Sequence, residues 1–109
     1  MTVSSNQSGS QSATINTEHQ LGSTITAAGV YVLVVDTNAM VNGDTLELRI
    51  KTKAKSGSTS RLAYYATYVN AQSDLVKYSV PVPCDVEFIA TLKQTAGTGR
   101  SFDWNILAL

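Results

Sequence analysis

The sequence predicts an all-β chain, an antiparallel β-sandwich or jelly-roll-like fold of about 7–8 strands. Three observations point there. From about residue 13 onward, apolar side chains recur at every second position. No stretch of helical length sustains a 3.6-residue apolar period. Polarity comes from Ser, Thr, Asn and Gln rather than charge: 15% of residues are charged and 43% hydrophobic, where an ordinary domain has about 25% charged. The 109 residues suit one domain with one core.

Residues 1–12 are almost entirely Ser, Gln, Asn and Gly. They offer little to bury against the entropy of ordering, so a flexible polar arm is expected, free or ordered by a neighbouring subunit. The β domain is expected to cover residues 13–109. Ser10–Thr17 and Leu21–Thr26 are two short candidate strands. "GVYVLVVD" is apolar on both faces, as a covered central strand would be. "TNAMVNGD" suits a linker with at most one helical turn. In "DTLELRIKTK", Leu46, Leu48 and Ile50 face one way and Glu47, Arg49, Lys51 and Lys53 the other. After a turn at Gly57, "RLAYYATYV" returns with Leu62, Tyr64, Ala66 and Tyr68 on its inner face, so the pair predicts a long hairpin.

"LVKYSVPVP" places Val76, Tyr78, Val80 and Val82 in one phase. Pro81 and Pro83 remove donors on one side, which predicts an edge strand or a departure from the sheet. "CDVEFIATLKQ" alternates with Val86, Phe88, Ala90 and Leu92 inward. "SFDWNILAL" alternates with Phe102, Trp104, Ile106 and Ala108 inward. Between them lies "TAGTGR". A phosphate-binding loop needs a following helix and a Lys-Ser/Thr pair, and neither is present. The glycines are expected to turn a hairpin between two strands.

Little in the sequence supplies catalysis, and a non-enzymatic protein without a cofactor is expected. His19 is the only histidine and lies in a poorly patterned region, so a local hydrogen bond is its expected role. One histidine and one cysteine, Cys84, do not make an ordinary structural zinc site. Cys84 is expected to be a small buried thiol, with no intrachain disulfide available to it. Asp36, Asn38, Asn42 and Asp44 lack calcium-loop spacing and suit Asx turns. Asp85 and Glu87 share one strand face, as a glycosidase pair or as an ordinary solvated face. Net charge is zero, so no global field favours nucleic acid or an anionic membrane. The start has no basic or apolar leader pattern, so no signal peptide is expected. The longest apolar run, Val30 to Val35, is too short to span a membrane as a helix.

Two surface features stand out. Arg49, Lys51, Lys53, Lys55 and Arg61 gather positive charge on one hairpin, with Tyr65 on the outer face beside Arg61. That combination suits a single-stranded nucleic acid, a docking patch for an acidic protein, or a solvated face balanced by Glu47, Asp85 and Glu87. Leu107 and Leu109 are out of phase with Trp104 and Ile106, so they point away from the core. Either an interface, including one between identical subunits, or a second layer of the same chain would cover them. Leu107, Leu109, Arg49, Lys51, Lys53, Arg61 and Tyr65 are the candidate partner contacts.

"NGDTLELRIKTKAKSGSTSRLAYYATY" and "VEFIATLKQTAGTGRSFDWNI" together resemble small virion structural proteins of tailed phages. The resemblance covers about Gly29 to the C-terminus and transfers no site residue. It implies a capsid cement or decoration protein in the virion, on the capsid exterior, assembled in the host cytoplasm, with the major capsid protein as partner. A tail-associated receptor- or carbohydrate-binding module is the alternative, with Tyr65 and Trp104 as its candidate aromatics. A single-stranded nucleic-acid binder is a more distant one.

Overall fold

The computed structural model describes residues 2–109. Among them are nine strands and no helix: β1 (Ser4–Ser12), β2 (Glu18–Gln20), β3 (Gly29–Asp36), β4 (Thr45–Thr52), β5 (Arg61–Val69), β6 (Val76–Tyr78), β7 (Val82–Cys84), β8 (Phe88–Ala96) and β9 (Ser101–Ala108). Sheet A runs β1-β9-β3-β6, with β7 also on β3, and sheet B runs β2-β8-β4-β5. All pairings between these strands are antiparallel. The β6–β7 stretch is one edge strand interrupted around Pro81. Between its halves Ser79 stays tied to β3, donating its N–H to the Leu33 carbonyl and accepting the Leu33 N–H on Oγ.

With β6 and β7 taken together, the strand order is that of a jelly roll. β1 pairs with β9, β2 with β8, β3 with β6 and β7, and β4 with β5. The chain is thus one long antiparallel ribbon with the β4–β5 hairpin at its tip. Rolling it up docks β9 on β3 and β8 on β4.

Alternation explains the core. Leu46, Leu48 and Ile50 of β4 and Phe88, Ala90 and Leu92 of β8 face Tyr31, Leu33 and Val35 of β3 and Phe102, Trp104 and Ile106 of β9. Tyr31 and Phe88 meet with ring centroids 5.3 Å apart and tilted planes, a favourable aromatic arrangement. The turn residues Leu21 and Ile25 close the side of the core, where Ile25 bridges to Phe88.

Several expectations are corrected. The polar arm is strand β1, paired with β9 from Ser4↔Ala108 to Ser12↔Ser101, so the β domain begins near residue 4; Met1 lies outside the described residues. β1 contributes few apolar side chains, but β9 offers it a complete backbone ladder. Gly9 lets it pass close to the Trp104 ring. The Gln7 side chain then clamps Ser23, accepting its N–H at 2.9 Å and donating to its carbonyl at 2.8 Å. Ser10–Thr17 and Leu21–Thr26 are therefore not two strands; they hold the end of β1, turns, and one isolated bridge.

Leu62 faces outward, 54% exposed. A β-bulge pairs it with Lys51 rather than Thr52, and the extra residue reverses its face. Val76, Tyr78 and Val80 are exposed while Ser79 and Val82 are buried, because the break near Pro81 changes the phase. The Gly97–Arg100 loop is not a hairpin: β8 belongs to sheet B and β9 to sheet A, so it crosses between layers. Asp85 and Glu87 lie in the bend before β8, not on a strand.

Candidate functional site

The crossover from β8 to β9 lies beside the crossover from β3 to β4, and a buried polar network joins them. Asp44, 1% exposed, ends the β3–β4 connection. Its carboxylate accepts the Val41 N–H at 3.0 Å, the Thr98 N–H at 3.4 Å and the Arg100 Nε–H at 2.9 Å. Burial pushes its pKa up, but the Val41 N–H, the Arg100 guanidinium and the Thr98 N–H outweigh that and hold it below the ordinary value. Gln94, fully buried, donates to the carbonyls of Ala96 and Thr98 and accepts the Arg100 N–H. Gly97, at φ 88°, runs against Asp44 with no room for a Cβ. Asp44 and Gln94 direct their polar groups at the protein's own backbone and, at Arg100, into one side-chain ion pair. The network fastens the sandwich end.

The outer face of sheet B is charged and internally paired. Arg49 Nη2 lies 2.7 Å from Glu47, and its guanidinium stacks 4.9 Å from the Tyr65 ring centroid. Tyr65 donates its hydroxyl to Glu47 and accepts that of Thr67. Lys51 lies 3.0 Å from Glu18, whose pKa is lowered first by the Thr91 hydroxyl and also by Lys51, against the opposing effect of burial. Lys53 lies 3.7 Å from Glu87. Three cations of the basic hairpin are therefore neutralised in place. Lys55 and Arg61 form no ion pair among the described residues. A hollow of about 440 Å³ lies beside the β4–β5 turn, lined in part by Arg61, Leu62 and Gly57.

The outer face of sheet A is different. Cross-strand register puts Val32 beside Leu107, Val34 beside Asn105 and Tyr78, and Val30 beside Pro83. Val30, Val34 and Leu107 are half-buried, while Val76, Tyr78 and Val80 are 47%, 62% and 55% exposed. A shallow hollow of about 180 Å³ opens among Val34, Asp36, Val76, Asp103 and Asn105. Ser5, Ser8 and Ser10 of β1 border the patch on the far side of β9; Ser5 bonds Asn105 at 2.7 Å, and Ser10 bonds Asp103. "GVYVLVVD" is therefore apolar on both faces: one meets the core, and the other, with Val32 7% exposed between half-buried Val30 and Val34, has no second sheet above it among the described residues. Leu107 sits within that face, and Leu109 at the end of β9 is 36% exposed.

The remaining candidates have local roles. His19 accepts the Thr14 N–H on Nε2 at 3.0 Å. Asp36 accepts the Asn38 N–H, an Asx turn. Cys84 is buried, and burial, with Asp85 and Glu87 nearby, raises its pKa. Trp104 is 9% exposed and packs in the core, which removes it from any aromatic sugar platform and leaves Tyr65. Among the described residues no cluster of three His, Cys, Asp or Glu side chains is placed to hold a metal ion, and no helix is long and apolar enough to cross a membrane. Asp44–Arg100 spans 56 positions, and nothing in the local pattern signals it. The sheet A patch was legible in part, through the two-sided apolarity of β3 and the phase of Leu107.

No family model, no curated protein and no solved structure matches this chain.

Proposed function

We propose that the chain is a non-enzymatic structural protein of a phage particle, a cement or decoration protein that binds the major capsid shell from outside and stabilises it. The observation that carries this is the apolar outer face of sheet A, centred on Val34, Val76, Tyr78 and Leu107. An apolar face that is exposed at Val76, Tyr78 and Val80 and has a polar border favours a covering partner. The fastened sandwich end and the internally paired face of sheet B make the opposite side a rigid, solvated platform. The phage context comes from the two stretches that resemble virion proteins. In the fold, these stretches hold β4, β5, β8 and β9, and the Asp44–Arg100 network links one to the other. Jelly rolls serve capsid and lectin domains alike, so fold alone does not choose between them.

The test is particle occupancy. Purified particles should carry the protein at a fixed ratio to the shell subunit, and particles lacking it should break at lower heat or osmotic stress. Tyr78→Glu combined with Val76→Lys should abolish re-binding to stripped particles while leaving the circular dichroism spectrum unchanged. Absence from purified virions, or undiminished binding by the double variant, overturns the proposal.

A further inference from the structure

The four sheet edges are not equally protected. β2 has three residues, and the β6–β7 edge is cut at Pro81. β1 is long, but its side chains are Ser, Asn, Gln and Gly, and a bulge lies between Ser5 and Gln7. Short length, proline, polarity and bulges all discourage edge-to-edge pairing. β5 lacks most of them. It has nine residues, Arg61–Val69, with no proline and one charge, Arg61. Its bulge opposite Ile50/Lys51 is confined to its beginning. From Tyr64 to Tyr68 it is a regular, aromatic and β-branched strand, hydrogen-bonded to β4 on one side and, among the described residues, paired with no strand on the other. Such an edge is a template for strand addition.

We propose that β5 pairs antiparallel with β5 of a second copy about a two-fold axis at Ala66, joining two B sheets into one eight-stranded sheet. The sequence around Ala66 is self-complementary. This register sets Tyr64 against the second copy's Tyr68 on the inner face, twice by symmetry, and Tyr65 against Thr67 on the outer face, also twice. Aromatic pairs stabilise cross-strand positions, whereas like charges directly opposite destabilise them. Here no charge faces a like charge: the two Arg61 residues lie about 34 Å apart along the strands. Ala66 puts the smallest side chain of the strand's regular part on the axis, where each residue meets its own copy. Tyr65 is already held by Glu47, Arg49 and Thr67, and Tyr68 lies beneath Lys77 of its own chain, so little ordering remains to be done on pairing. A two-fold interface of this kind closes on itself and stops at two copies. It leaves the outer face of sheet A free, goes beyond the capsid proposal and stands without it.

The experiment uses the full chain in solution. Sedimentation across a concentration series should show a monomer–dimer equilibrium, and Ala66→Lys should weaken dimerisation about tenfold or more by opposing two ammonium groups at the axis. The buried Trp104 emission checks that this variant is folded. Independently, Ala66→Cys should oxidise rapidly to a disulfide-linked dimer, because residues paired across antiparallel strands have Cα atoms about 4.5–5.5 Å apart, within disulfide reach. Cys84 is buried and should not compete. Ser23→Cys, on the opposite side of the sandwich, should cross-link far more slowly. A monomer at every concentration overturns the proposal. So does a dimer that survives Ala66→Lys but is dissolved by Tyr78→Glu, or equal cross-linking at positions 23 and 66.

Discussion

Replacing Asp44 by Ala should unfasten the end of the sandwich. The carboxylate is 1% exposed and satisfies the Val41 and Thr98 N–H groups and Arg100. Breaking a fully buried ion pair costs about 3–5 kcal/mol. Two features place this one at the lower end: the Arg100 side chain is 29% exposed and can rehydrate, and the Thr98 contact is long at 3.4 Å. The Val41 donor loses its partner outright, at about 1 kcal/mol or more. The sum is about 4 kcal/mol, which lowers the melting temperature of a chain this size by about 14–16 °C. Melting followed by circular dichroism near neutral pH checks it. In a double-mutant cycle, Arg100→Ala should remove much less once Asp44 is gone, with a coupling of about 1 kcal/mol or more. The pH dependence has a definite sign. The folded-state pKa of Asp44 lies below the ordinary value of 3.8. Its stabilisation is therefore complete above 3.8 and disappears as pH falls through the lower folded value. The gap between wild type and Asp44→Ala should narrow in that acid window. A melting shift under about 2 °C, additive cycles, or a gap that widens in acid would refute the reasoning.

Two glycines separate strain from collision. Gly57→Ala meets only a left-handed backbone, φ 87° with open space around it, and should cost about 1–2 kcal/mol. Gly97→Ala adds a collision with the Asp44 side chain and backbone, so it should lower the urea midpoint well beyond Gly57→Ala; equal effects would place the Asp44 contact elsewhere. Cys84 is buried with a raised pKa, so its alkylation at mildly alkaline pH should be slow and limited by unfolding. Labelling of the native protein at the rate of a free thiol would contradict that burial.

The sequence by itself determined which side chains face inward along β4, β8 and β9. Alternation there is strict, and the one bulge on β8 comes after Gln94, past its inward residues, so a period of two carries directly into space. It also disclosed that β3 is apolar on both sides. Tertiary structure decided the rest where the determining force is not local. β1 has almost no apolar signal, because the ladder it joins belongs to β9, about a hundred positions away. Leu62 and the Val76–Val80 run turned the other way because one bulge and one proline break each shift the phase by a residue. The Gly97–Arg100 loop looks like a hairpin in one dimension, but its flanking strands pair with different neighbours. Asp44 and Arg100 stand 56 positions apart; only rolling the ribbon brings the two crossovers together and excludes water from the carboxylate between them. The same rolling sets one apolar face of β3 against the second sheet and leaves the other without one, and no alternation along the chain records which face meets the second layer.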